Sequence, residues 1–216
     1  LNDVRNLEAS IKAIKKYNGH CQCAISYTTS PIHTPEYYLE LIKTMESMGA
    51  DSICIKDMAG VLTPYKAYDL VKRIKEMTDI PIDLHTHCTG GIADMIYMKA
   101  VEAGVDAIVI SNHGGRVLDC TPGVCEVIPS IAKAVKGKIT ILADGGVRTG
   151  VDVVKMIGLG ADAVLIGRPF VTASFGGKTD GVKTYVENIK NELKSTMILT
   201  GCQSIKDIDS KVIYNY

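Results

Sequence analysis

Short apolar segments recur along the chain at intervals of about 25 to 30 residues. Three of them follow the same kind of turn, made of a glycine, a small residue and an aspartate, at 49–51, 104–106 and 160–162. Between these turns lie further β-rich runs at Cys21–Tyr27, Pro81–Thr86 and Lys138–Ala143. Segments that are apolar on both faces, such as Ala107–Ile110, are typical of parallel strands covered by helices. The pattern therefore predicts about six parallel strands.

Each interval between predicted strands has room for one helix, and helical periodicity is present in these intervals. The predicted helices are Pro35–Met48, Pro64–Met77, Ile92–Ala103, Val124–Val135 and Val151–Leu159, followed by a last one at Val182–Met197. This alternation predicts an α/β fold, a TIM-barrel-type parallel repeat in a single domain over residues 1–216. A closed barrel of this type has eight strands. We therefore expect an incomplete or rearranged barrel.

Composition narrows the classes of function. Twenty-four lysines and arginines balance twenty-four aspartates and glutamates, so no net charge attracts nucleic acid or an anionic membrane. The seven cysteines lack the spacing of a disulfide framework or a zinc ribbon, and no leader-like segment opens the sequence. We expect a cytoplasmic protein with small-molecule partners, and neither a nucleic-acid nor a membrane partner.

Two glycine-rich turns follow the last two predicted strands. The first contains Asp144, Gly145, Gly146 and Arg148, and the second contains Gly167 and Arg168. Glycines let backbone N–H groups approach a phosphate, and arginine adds charge-assisted hydrogen bonds. Either loop alone is also explained as a tight turn. Two such loops on successive strands, each with an arginine, favour a phosphate site at the strands' carboxyl ends.

A third candidate loop, Ser111–Arg116, follows the strand at Ala107–Ile110. A histidine at this position, His113, can remove a proton, and Arg116 can hold a carboxylate through two parallel hydrogen bonds. A lone histidine is more often structural. The neighbouring arginine favours a catalytic role here.

From about Gly104 onward, the sequence resembles the FMN-dependent 2-hydroxy acid dehydrogenases and oxidases. The matching segments are Ser111–Asp119, Asp144–Gly150, Gly167–Phe170, Thr196–Met197 and Gly201–Cys202. The resemblance implies that His113 takes the hydroxyl proton of a 2-hydroxy acid and that Arg116 pairs with its carboxylate. It also implies that FMN is held by residues of these segments, namely Ser111, Asp144, Gly145, Gly146, Arg148, Gly167 and Arg168.

Residues 1 to about 106 resemble instead the carboxyltransferase domain of oxaloacetate decarboxylase and pyruvate carboxylase. The matching runs are Leu1–Leu7, Ser26–Ser30, Ser52–Gly60 and Leu84–Gly90. His85 and His87 are two residues apart on a predicted strand, so both rings project from one face and can share a divalent metal ion. The resemblance implies that Lys56, carbamylated in that family, is a further ligand. That family's aspartate ligand and substrate arginine lie on early strands with no counterpart here.

The sequence is thus a hybrid of a carboxyltransferase-like half, 1–105, and an FMN-binding half, 106–216. In the flavin family a lysine faces the flavin where this sequence has His85. That family also has a substrate-binding tyrosine on an early strand, and this sequence lacks it. Our first hypothesis is an FMN-dependent oxidoreductase acting weakly on a 2-hydroxy acid. The alternatives are a metal-dependent carboxyltransferase or decarboxylase acting on a 2-oxo acid, and a non-catalytic chimeric barrel.

Six strands with the curvature of an eight-strand barrel leave a gap, and the two flanking strands, near 21–27 and 163–166, then expose unpaired backbone groups. We therefore expect a homo-oligomer, to be tested by sedimentation of the protein at micromolar concentration and by hydrogen exchange of these two strands. A clean monomer in which both strands are strongly protected would contradict the prediction.

Overall fold

The computed structural model describes residues 2–87, 89, 91–116 and 119–214. The chain divides into two compact units, Leu1–Val109 and Ile110–Tyr216, which we call the first and the second unit. Strands and helices alternate in both, and the predicted α/β repeat of six parallel strands is confirmed. The assignment of the whole chain to one domain stays a prediction.

The first unit contains three paired parallel strands and the helices that connect them. Its elements are α1 (Glu8–Lys16), β1 (Gln22–Ser26), α2 (Pro35–Ser47), β2 (Ser52–Asp57), α3 (Pro64–Met77), β3 (Ile82–Thr86) and α4 (Ala93–Glu102). In register, Gln22 of β1 pairs with Ser52 of β2, and Ile53 of β2 pairs with Ile82 of β3. All five residues of β3 are buried, as expected for a parallel strand covered on both faces.

The strand β4 (Ala107–Ile110) crosses the boundary between the units. The second unit continues with α5 (Val124–Val135), β5 (Thr140–Ala143), α6 (Gly150–Leu159), β6 (Ala163–Val164) and α7 (Arg168–Leu199). Strands β5 and β6 pair in parallel, with Leu142 opposite Ala163. No helix in the described part of the chain is both long and apolar enough to span a bilayer.

The last helix differs from its sequence prediction, because α7 begins at Arg168 rather than near Val182. Its backbone leaves the helical region at Lys178, where φ is 49° and ψ is −135°. Gly176 and Gly177 precede this kink, and glycine is a poor helix former, so the pattern in this stretch did not indicate a helix. The helix therefore consists of two segments on either side of Lys178.

The three repeated turns end their helices in the same way. Gly49, Gly104 and Gly160 follow α2, α4 and α6 with φ between 95° and 124°, a region that favours glycine. At each turn the residue after the glycine donates its N–H to a carbonyl five residues back, as Ala50 does to Met45 at 3.1 Å. This is the hydrogen bond of a Schellman motif, which satisfies carbonyls at the helix end.

The aspartate of each turn then clamps two neighbouring strands at their starts. The Asp51 carboxylate accepts the N–H of Cys21 at 2.7 Å, Asp106 accepts that of Ile82 at 2.8 Å, and Asp162 accepts that of Ile141 at 2.8 Å. In return, each aspartate donates its own N–H to the carbonyl of the same partner residue. We call this paired arrangement the aspartate clamp.

A lysine from the end of the helix before the first strand of each pair completes the clamp. Lys15 pairs with Asp51, Lys75 with Asp106, and Lys136 with Asp162. The Lys15 side chain, followed by the Cys21 N–H, lowers the pKa of Asp51, so this carboxylate stays ionised at neutral pH. Because a carboxylate with a lowered pKa favours the folded state only while ionised, its contribution is present at neutral pH and is lost as the solution becomes acidic.

We expect Asp106→Ala to lower the free energy of unfolding by about 1–3 kcal/mol, because the partly buried N–H of Ile82 loses its side-chain acceptor. Asp106→Asn keeps an oxygen acceptor and should lose less. Urea unfolding of both variants, with the exposed Asp79→Ala as control, measures the effect. Equal unfolding midpoints for Asp106→Ala and Asp79→Ala would contradict it.

Candidate functional site: an arginine-lined cavity of the second unit

The loop after β4 is held by short polar side chains at its base. Ser111 is buried, and its Oγ accepts the backbone N–H of His113 at 3.1 Å. The Asn112 side chain accepts the N–H of Gly114 at 3.0 Å and donates to the carbonyl of Pro122 at 3.4 Å. These bonds fix the loop immediately after the strand ends.

This loop has an uncommon backbone conformation at the candidate base. His113, Gly114 and Gly115 have φ values of 55°, 66° and 72°, so three consecutive residues lie in the left-handed region. Glycine adopts this region freely, whereas a histidine there is strained by of order 1–3 kcal/mol. The side-chain bonds of Ser111 and Asn112 hold the backbone in place against that strain.

The loop after β5 turns through two glycines. Asp144 donates its N–H to the carbonyl of Ile110 at 3.2 Å, and Gly145 and Gly146 follow with φ of 91° and 85°. A Cβ on Gly145 would lie 3.0 Å from Cγ2 of Val124, whereas one on Gly146 would have nothing within 4 Å. Gly145 is thus needed for close packing, and Gly146 leaves open space beside its backbone.

The start of α6 fixes the arginine of this loop. The Asp152 carboxylate accepts the N–H groups of Arg148 and Thr149, each at 3.0 Å, and the Thr149 hydroxyl at 2.8 Å. Burial raises the pKa of Asp152, but these hydrogen bonds outweigh burial and lower it overall. Tyr185 of α7 donates its hydroxyl to the Arg148 carbonyl at 2.9 Å. Arg148 is therefore held by two elements.

The loop after β6 contributes Gly167, directly before α7, and Arg168 in its first turn. A Cβ on Gly167 would again meet nothing within 4 Å. A Cβ on Gly114 would lie only 2.6 Å from Nη2 of Arg168, so the guanidinium rests against the His113 loop. Any side chain at position 114 would displace it.

These three loops enclose a cavity of about 620 Å³ whose lining residues all belong to the second unit. This volume is in the range of small-molecule sites. Its titratable lining residues include His113, Arg116, Asp144, Arg148 and Arg168, and its glycines include Gly145, Gly146 and Gly167. Three arginines against one carboxylate indicate an anionic ligand. The fold therefore brings together nearly all of the residues that the sequence predicts for this site.

Sequence reasoning missed part of the cavity wall. Thr172 and Ala173 line it from α7, and Tyr185 lines it from the same helix beyond the kink. Thr172 lies four residues after Arg168, so a correct helix start would have placed both on one face. The ring of Tyr185 packs edge-on against Phe170 at 5.0 Å, a contact for which the sequence gives no local signal.

The predicted metal residues belong to the first unit. Lys56 of β2 pairs in register with His85 of β3, and the rings of His85 and His87 are 4.9 Å apart. Both histidines are buried. Within the described residues no three His, Cys, Asp or Glu side chains form a group that could hold a metal ion. Cys88, adjacent to this pair, lies outside the described residues.

A parallel β/α repeat with a basic, glycine-rich cavity at its strand ends is the arrangement in which such folds commonly hold small anionic molecules. The sequence pattern of the family described as FMN-dependent dehydrogenase matches residues 5–215. The chain therefore belongs to the FMN-dependent dehydrogenase family.

Relatives confirm both resemblances. The chain is 45% identical over 138 residues to peroxisomal (S)-2-hydroxyacid oxidase GLO3 of Arabidopsis thaliana, covering 64% of this chain and 37% of that protein. It is 59% identical over 108 residues to a subunit of pyruvate carboxylase from Methanocaldococcus jannaschii, covering 50% and 19%. A crystal structure of mandelate oxidase with (S)-2-phenylpropionate matches with a TM-score of 0.76 and 29% identity, covering 91% and 63%. The chain thus spans well under half the length of these two curated relatives.

We expect FMN to bind far more tightly than riboflavin, because only FMN has a phosphate to accept hydrogen bonds from the arginines and from the open backbone at Gly146 and Gly167. Arg168→Ala should weaken FMN binding by about 1.5–3 kcal/mol, roughly tenfold to a hundredfold or more in Kd, the loss for a hydrogen bond to a charged group. Quenching of flavin fluorescence measures both affinities. Arg5→Ala, in an exposed arginine of the first unit, is the matched control. Equal affinities for riboflavin and FMN would contradict the prediction.

Proposed function

We propose that this chain binds FMN in the arginine-lined cavity and dehydrogenates a small 2-hydroxy acid. The observation that carries the proposal is the convergence of His113, Arg116, Arg148 and Arg168 on one cavity. Family membership and the 2-hydroxyacid oxidase relative support it. When bound, FMN supplies the hydride acceptor that no side chain provides.

The donor set of the cavity suits the phosphate of FMN. Gly146 and Gly167 leave open backbone on which a phosphate can rest, and Arg148 and Arg168 provide guanidinium donors. Asp144 lines the same cavity with a carboxylate, which only accepts hydrogen bonds when ionised, and we assign it to ribityl hydroxyl groups. Ser111 supports the site through the His113 N–H rather than by lining the cavity.

We assign the proton transfer to His113 and the substrate carboxylate to Arg116. Imidazole is the side chain that changes its protonation near neutral pH. The Nδ1 atom of His113 is shielded from solvent, which leaves Nε2 to take the hydroxyl proton of the substrate. Arg116 is exposed and lines the same cavity, so its guanidinium can hold a carboxylate there by two parallel bonds. A substrate held in this way would present its 2-hydroxyl group to the base.

We propose that turnover is weak. The resemblance to the flavin family predicts a lysine where this sequence has His85. Loss of that lysine's contact with the flavin ring should reduce the rate more than the affinity for FMN, because the arginines and glycines that we assign to the phosphate are retained in the second unit. Cytoplasmic location and self-association remain predictions alongside this proposal.

A metal-dependent reaction on a 2-oxo acid is the second candidate, favoured by the similarity to the pyruvate carboxylase relative and by the adjacent His85 and His87 rings. The absorption spectrum of the purified protein separates the two. A flavin band supports the first proposal, whereas a colourless protein containing stoichiometric metal supports the second. A protein with neither is the non-catalytic alternative.

We expect His113→Ala to abolish reduction of bound flavin by a 2-hydroxy acid while FMN stays bound, since the phosphate residues are unchanged. Anaerobic bleaching of the flavin band measures reduction, and fluorescence titration measures binding. His20→Ala, in an exposed histidine of the first unit, is the control and should behave as the parent. If His113→Ala reduces flavin as fast as the parent, the role of His113 is wrong.

A further inference from the structure

A second cavity, of about 160 Å³, lies within the first unit where the chain leaves β1 and enters α2. We call it the tyrosine pocket. Its lining residues include Tyr27, His33 and Tyr38 on one side and Lys66, Asp69 and Leu70 of α3 on the other. The proposed FMN chemistry uses none of them. Its position at the carboxyl end of a parallel strand is where such folds place ligands.

The aromatic wall of this pocket is rigid. The rings of Tyr27 and Tyr38 stack at 5.4 Å with their planes 23° apart. The Tyr38 hydroxyl donates to the Thr28 carbonyl at 2.9 Å and accepts the Thr28 N–H at 2.8 Å. Tyr38 is also almost fully buried. A ligand entering the pocket would therefore meet a preformed surface and order few side chains on binding.

Lys66 supplies a positive charge. Asp69, three residues further along the same helix, pairs with Arg73, with an Oδ2 to Nε distance of 2.9 Å. No ion pair involves Lys66 within the described residues. An anion in the pocket would find a lysine that is not already held in an ion pair, beside an Asp69 carboxylate whose charge Arg73 offsets.

His33 supplies a second donor. Ser30 Oγ accepts the Ile32 N–H at 3.3 Å and lies 2.7 Å from Nδ1 of His33. The Ser30 hydroxyl can donate its proton to Nδ1, and in that tautomer the ring proton of His33 lies on Nε2 and is available to a ligand. The edge-on contact with the Tyr37 ring, at 5.0 Å, fixes the imidazole plane.

Tyr27 supplies a third donor. Burial, followed by the proximity of Tyr38 and Asp57, raises the pKa of Tyr27 to about 12, so the phenol keeps its proton at neutral pH. No hydrogen bond to its hydroxyl occurs within the described residues. Lys66, His33 and Tyr27 can therefore all donate hydrogen bonds into one small cavity, and the Asp69 carboxylate that also lines it is paired with Arg73. A ligand that only accepts hydrogen bonds fits these donors best.

We propose that the tyrosine pocket binds a small monocarboxylate with a short apolar chain. The carboxylate would accept from Lys66, His33 and Tyr27, and the chain would lie against the Tyr38 ring and the buried Leu70. The cavity volume equals roughly five water molecules in the liquid, which suits an acid of a few carbon atoms. The apolar wall favours such an acid over inorganic phosphate, because phosphate has no apolar part to bury.

The test is a titration of the full chain, with its tyrosine rings labelled with carbon-13, by sodium butyrate in an NMR experiment. Tyr27→Phe identifies the Tyr27 signal by its disappearance. We expect the Tyr27 signal to shift with a Kd on the order of 1 mM, as befits a ligand of so few atoms. Neutral butyramide should bind at least about tenfold more weakly, because it lacks the charge that Lys66 stabilises.

Lys66→Met should raise the Kd for butyrate by about tenfold or more, whereas Lys72→Met, an exposed lysine of the same helix, should change it less than about twofold. Because Lys66 is exposed, its replacement leaves the core intact.

The proposal is overturned if Lys66→Met binds as the parent does, if phosphate shifts the Tyr27 signal equally, or if no shift occurs. It is also overturned if Arg116→Ala, rather than Lys66→Met, removes the shift, which would place the butyrate in the arginine-lined cavity. Failure of FMN binding leaves this test unaffected, since every residue of the pocket is in the first unit.

Discussion

The aspartate clamp is the interaction on which the rest of the fold depends. Each clamp joins the starts of two neighbouring strands by two hydrogen bonds, one accepted by the aspartate carboxylate and one donated by the aspartate N–H, and a lysine offsets the charge. It appears twice in the first unit and once in the second. By fixing strands at their amino ends, it determines their register. The loops at the carboxyl ends of the strands are then not needed to hold the sheet together. In β/α folds the amino ends of the strands contribute to stability and the carboxyl ends carry the functional residues.

The loops at those carboxyl ends contain strained backbone and glycines rather than stabilising side-chain contacts between strands. Residues 113 to 115 and 145 to 146 have positive φ, and His113 tolerates a strained backbone because Ser111 and Asn112 hold it. Glycines remove side chains where a guanidinium or a ligand must come close, as at Gly114 beneath Arg168. The arginine-lined cavity thus depends on missing side chains as much as on the charged ones. A stable clamp at one end of the strands permits strain at the other.

The hybrid character of the chain follows the same logic. The sequences that resemble the carboxyltransferases and the FMN-dependent dehydrogenases meet near the Gly104 turn, which has the same helix ending and the same clamp as the other two turns. Local contacts of this kind need only their own helix, turn and neighbouring strand. A segment from either family can therefore supply them. The chemistry of each family, in contrast, requires residues from several strands, so it is more easily lost than the fold.

The sequence by itself determined the parts of this protein that depend on local chemistry. The glycine and aspartate turns predicted the strand starts, and the glycine and arginine loops predicted most of the arginine-lined cavity, because each of these signals lies within a few residues of its strand. Tertiary structure alone decided the rest. The bond from Tyr185 to Arg148 and the approach of Lys66 to Tyr27 and His33 in the tyrosine pocket join residues far apart in sequence. Such contacts form only when the helices pack against the rest of the fold. The hydrophobic periodicity of the sequence shows which face of a helix is buried but not which distant residues that face contacts.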